Sequence, residues 1–69
     1  MSRPVKQPVS RWEALSPGDD IEVWLSDSFQ YSGRVDHVGT HGQIIWVIEN
    51  GTAQRRLFLR GDDVLLCPV

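Results

Sequence analysis

The sequence predicts an all-β protein: a small, strongly bent, five-stranded antiparallel barrel behind one short N-terminal helix. Three observations carry that prediction. The chain has 69 residues, which leaves room for one domain only. From Asp20 onward its hydrophobic period is two, the period of a half-buried strand. Turn-forming clusters then cut this stretch into five short strands, at Ser26-Asp27-Ser28, Gly39 to Gly42, Asn50-Gly51 and Arg60-Gly61-Asp62-Asp63.

Each element has a local reason. Residues 1–9 hold Pro4 and Pro8 among polar residues and are expected to form a flexible arm, with the barrel domain over residues 10–69. Residues 10–15 read as a short helix. Ser10 caps it, Glu13 completes a capping box, and Trp12 and Leu15 share one face. Pro17-Gly18 stops it. In the first strand, Ile21, Val23 and Leu25 alternate with Glu22 and Trp24. In the second, Phe29, Tyr31, Gly33 and Val35 alternate with Gln30, Ser32, Arg34 and Asp36, and Gly33 marks a bulge or sharp bend. Residues 43–49, rich in β-branched side chains, form the third strand. Asn50-Gly51 is the signature of a type I′ hairpin turn, and residues 54–59 follow as the fourth strand. Val64 to Cys67 is the fifth, and Pro68 ends it.

Composition narrows the function. Cys67 is the only cysteine, so no disulfide forms within the chain, and its apolar flank of Leu65, Leu66 and Val69 makes it a small buried hydrophobe. A lone cysteine suits a reducing compartment. Residues 1–11 lack the apolar core of a signal peptide, and no run approaches the roughly 18 apolar residues of a membrane span. A soluble, cytoplasmic protein without a membrane partner is expected. The net charge of −2 is uneven. Arg3, Lys6 and Arg11 against Glu13 give the first 16 residues +2, and four arginines against eight acids give the rest −4. An acidic body weighs against general nucleic-acid binding while leaving room for a local basic site.

Catalytic constellations are absent from the pattern. His37 and His41 stand at a metal-binding spacing for a helix, but Gly39 and Gly42 break any helix there, and no third ligand completes a set. No serine or cysteine has a base beside it, and a chain this short cannot easily shape a water-excluding pocket. The expectation is a protein that is not an enzyme and carries no cofactor. Arg55, Arg56 and Arg60 form the one basic cluster of the folded part. They read either as a phosphate site or as a solvated strand face paired with Asp62 or Asp63. Trp24 falls on the non-core face of its strand; with Trp12 and Trp46 it offers an exposed platform or, more commonly, a seam between helix and sheet. Apolar residues on both faces of the third to fifth strands suggest burial against further copies of the chain.

Two stretches resemble the motifs of Sm and Sm-like proteins. Val23-Trp24-Leu25-Ser26-Asp27-Ser28-Phe29-Gln30-Tyr31-Ser32-Gly33 is similar to the opening of their first motif, and Leu59-Arg60-Gly61-Asp62-Asp63-Val64-Leu65-Leu66 to their second. The resemblance implies a ring of six or seven small barrels joined through edge strands, with single-stranded RNA at the inner rim. By position it assigns RNA contacts to His41, Gln43, Arg60 and Gly61. The chain departs from the family's pattern at Gly39 and Gln43, where an acidic residue and an asparagine are usual, and at Ser28, where a glycine is usual. Pro17-Gly18-Asp19 and Gly33-Arg34-Val35 also suit Tudor-like and Src-homology-3-like barrels. Two expectations therefore stand side by side: an RNA-binding, self-associating Sm-like barrel, or a monomeric or dimeric module that takes a protein partner on an aromatic surface including Trp24 and Tyr31.

Overall fold

A computed structural model describes residues 8–69, so most of the expected N-terminal arm lies outside the described residues. Five strands, β1 (Asp20–Leu25), β2 (Ser28–Val38), β3 (Ile44–Glu49), β4 (Arg55–Leu59) and β5 (Leu65–Pro68), form one antiparallel sheet in the order β4-β3-β2-β1-β5. The all-β class and all five strands agree with the sequence. The sheet is not closed into a barrel: β4 and β5 remain its two edges. Among the described residues no helix is long and apolar enough to cross a membrane.

The bend is built into β2. Its first half pairs with β1 and its second half with β3, and only Gly33 and Arg34 pair on both sides. Gly33 is therefore where the sheet folds across itself. A Cβ there would lie 2.6 Å from the Ile48 carbonyl oxygen and 2.8 Å from Val47 Cγ1, so the close approach requires glycine. Gly33 itself pairs regularly. The bulges lie on either side of it, where Gln30 and Asp36 are extra residues on β2, and each adds local twist.

The inner face carries the core. Ile21, Val23, Val35, Ile45, Val47 and Leu66 are all but inaccessible to solvent, and Trp12, Leu15 and Val64 close the cluster. Burying each such aliphatic side chain contributes roughly 1.5–3 kcal/mol. Cys67 is buried, as its flank indicated. On the outer face Leu57 and Leu59 of β4, and Phe29 and Leu65 toward the opposite edge, stay exposed.

Three local expectations change. The N-terminal helix is a single 3-10 turn, Trp12–Ala14, with Arg11 at its start and no side-chain cap, so the Ser10–Glu13 capping box does not form. One turn closed by Ala14 N–H to Arg11 and Leu15 N–H to Trp12 is all that fits before Pro17. Trp12 and Leu15 do share a buried face. Val9 belongs to the domain rather than the arm: its N–H donates to the Leu66 carbonyl (3.0 Å), and it packs on the core. The β3–β4 connection is longer than a type I′ turn. The ladder ends with Glu49 N–H on Gln54 O (2.8 Å), and Ala53 N–H returns to Glu49 O (2.9 Å). Positive φ falls at Gly51 and Ala53, not at the consecutive Asn50 and Gly51 that type I′ needs.

Candidate functional site

The turn between β4 and β5 sets the backbone at Arg60. Asp62 N–H donates to Leu59 O (2.9 Å), and the Asp62 carboxylate accepts from Leu59 N–H (2.8 Å). Gly61 at φ 102° completes a conformation that other residues adopt only with strain. The Arg-Gly-Asp tripeptide is thus an inter-strand turn in which the aspartate binds backbone. Arg60 N–H also donates to Gln43 O (2.8 Å), which ties the turn to the start of β3.

A second 3-10 turn, Thr40–Gly42, leads into β3, with His41 in the left-handed region and Gln43 helical. Gly42 is buried against the N-terminal turn. A Cβ at Gly42 would meet the Glu13 carboxylate at 2.5 Å and its backbone nitrogen at 2.9 Å. The glycine therefore allows the two 3-10 turns to dock, and that docking brings Arg11 and Glu13 beside the others.

The result is an open depression of about 710 Å³ lined by Arg11, Glu13, His41, Gln43 and Arg60. His41, Gln43 and Arg60, drawn from two loops by the Sm-like resemblance, are brought together here, and Gly61 is exposed in the turn beside them. In the sequence Glu13 reads as half of a capping box and Arg11 only as one of the N-terminal charges. Nothing local marks them as site residues, because tertiary docking over Gly42 puts them there.

The arginines divide sharply. Arg55 Nε donates to Asp36 (2.8 Å) and its guanidinium lies 4.1 Å from the Trp46 ring centre. Arg56 Nε donates to Glu49 (2.9 Å) and its Nη2 to Gln54 (2.8 Å). Neither pairs with Asp62 or Asp63, the partners the sequence suggested. Arg60 makes no ion pair among the described residues; its Nη2 reaches only the Ser10 carbonyl, at 3.3 Å. Arg11 and Glu13 approach at 3.9 Å, both well exposed, a contact of little energy. Two guanidiniums and one carboxylate thus leave the depression locally cationic on an acidic chain.

Register separates the two residues named for the aromatic alternative. Tyr31 pairs with buried Val23 and faces inward, whereas Trp24 pairs with Phe29 and Leu65 on the outer face. The two cannot form one platform. Trp24 donates from Nε1 to Glu22 (3.1 Å) and meets Phe29 edge-to-face, ring centres 5.6 Å apart. The Tyr31 hydroxyl is buried without a hydrogen-bond partner. Burial pushes this phenol's pKa above the usual range; Arg56 opposes the shift and Glu49 adds to it. Of the three tryptophans only Trp12 is buried, so they form no common seam between helix and sheet.

No protein-family model, curated protein or solved structure matches the chain.

Proposed function

We propose that this chain is a non-catalytic binding module, a small-barrel type similar to Sm-like proteins, that takes single-stranded RNA in the depression around Arg60. The observation that supports this most is the Arg60 guanidinium, which has no ion pair among the described residues and only one hydrogen bond, to the Ser10 carbonyl, on a turn that fixes its backbone beside the depression shared with His41, Gln43 and Arg11. A guanidinium meets phosphate in a fork or stacks on a base, an imidazole stacks, and a carboxamide hydrogen-bonds a base edge. An unpaired strand can present phosphate and base to one shallow site together, which a duplex cannot do. Glu13 on the rim repels phosphate, so the affinity is modest and the site narrow.

Titration of a fluorescein-labelled single-stranded RNA, followed by anisotropy at low salt, tests the reading. Saturable binding is expected, weaker for a duplex of the same length. Two cationic contacts on a single strand predict a log–log salt slope of about −1.4. Absence of binding at low salt overturns the proposal. A much steeper slope would point to diffuse charge attraction instead of this site.

A further inference from the structure

The two edges of the sheet differ in what their backbones leave open. Along β5, Val69 N–H donates to Asp20 O (3.1 Å), which fixes the phase of the ladder to β1. Leu65 and Cys67 then turn their backbone groups toward β1, and Leu66 and Pro68 turn theirs outward. Pro68 has no N–H, and the Leu66 carbonyl already accepts from Val9. That edge is sealed by a proline and by the entering chain, two ways in which sheets protect an edge.

Along β4 the outcome is the opposite. Hydrogen bonds from Glu49 N–H to Gln54 O and from Arg60 N–H to Gln43 O set the phase, so Arg55, Leu57 and Leu59 turn their backbone groups away from β3. Asp62 occupies both groups of Leu59. Arg55 and Leu57 are left, each with an outward N–H and C=O that has no partner among the described residues. Their surroundings do not shield them. Asp36 and Trp46 draw the Arg55 side chain away, Glu49 and Gln54 draw Arg56 away, and Leu57 stands 43% exposed.

We propose that β4 pairs with β4 of a second copy of this chain, antiparallel, about a two-fold axis at Arg56. Arg55 then exchanges both backbone hydrogen bonds with the partner's Leu57, and Leu57 with the partner's Arg55. Two donor–acceptor residues spaced two apart are complementary to their own reverse, which is the condition for an isologous contact. An axis at Leu57 would instead place Arg55 opposite the partner's Leu59, whose groups Asp62 holds. At the Arg56 axis the two guanidiniums approach on the inner face, each kept by its own Glu49. Four hydrogen bonds and a leucine on each side make a contact smaller than about 1,200 Å², so the dimer is weak and reversible. This inference stands apart from RNA binding, which needs one chain only. It also differs from the ring that the Sm-like resemblance implies, because a head-to-tail ring needs the β5 edge as well.

Sedimentation velocity from about 10 μM to about 1 mM is the test. The expected result is a concentration-dependent monomer–dimer equilibrium. Leu57→Pro removes only an outward N–H and leaves the ladder to β3 intact, so it should give a folded monomer. If that variant does not fold, Leu57→Lys retains the backbone and should weaken the dimer about tenfold. Leu65→Lys, on the sealed edge, should leave the dimer unchanged. A monomer throughout, a ring of six or seven, or a dimer sensitive to Leu65→Lys but not to the Leu57 variants overturns the proposal.

Discussion

Arg55 and Arg56 on β4 and Arg60 in the turn after it form one cluster in the sequence, yet they end in opposite electrostatic states. Strand alternation sends Arg55 to the outer face and Arg56 to the inner face, and register sets a carboxylate opposite each: Asp36 from the bulge of β2, Glu49 from the end of β3. Arg60 lies past β4, in a turn where the Asp62 carboxylate is bonded to backbone and where Arg60 makes no ion pair among the described residues. The strand arginines hold the sheet's surface together. The turn arginine keeps only a hydrogen bond to the Ser10 carbonyl, which is why the proposed RNA site is centred on it. A run of basic residues therefore counts as a binding patch only after register has shown which acids reach it.

Removing the partners tests this contrast. Glu49→Ala should have the largest effect. Glu49 is the least exposed acid among these pairs and also accepts from Thr52, so two hydrogen bonds are lost and Arg56 is left beside Tyr31 without its anion. A loss of about 1–2 kcal/mol in urea unfolding is expected. Asp36→Ala breaks one more exposed pair and should cost about 0.5 kcal/mol. A loss as large as that of Glu49→Ala would show that the Arg55–Trp46 stack depends on Asp36. Tyr31→Phe should change least at neutral pH, within about 1 kcal/mol and toward higher stability, because it deletes an unpartnered buried hydroxyl. Its signature is in alkali. The folded state raises the phenol's pKa, so folded chains hold that proton more tightly than unfolded ones, and wild-type stability should fall as pH rises past the ordinary value of 10.0. Thermal melts of Tyr31→Phe should lack that share of the fall.

Much of the fold was legible from the sequence because alternation and turn chemistry are local. The five strands, the inward Ile21 and Val23, and the shared burial of Trp12 and Leu15 all follow from side-chain period. The faces of β2 were not legible. Simple alternation groups Phe29 with Tyr31 and Val35, but the bulge at Gln30 resets the phase, so Phe29 joins Trp24 outside while Tyr31 stays in. The bulge at Asp36 likewise turns His37 outward, opposite Trp46. Whether the sheet closes depends on how its far edges meet, which no local pattern encodes. In the site, the Sm-like resemblance supplied His41, Gln43 and Arg60. Arg11 and Glu13 enter only because Gly42 lets one turn dock on another.

The most direct test is to compare the affinity of a labelled single-stranded RNA for Arg60→Ala, Arg55→Ala and Arg56→Ala, each verified as folded. The account predicts about a tenfold loss for Arg60→Ala, one contact's worth of free energy, and changes within about twofold for the strand arginines. Equal losses from all three, or none from Arg60→Ala, would contradict it.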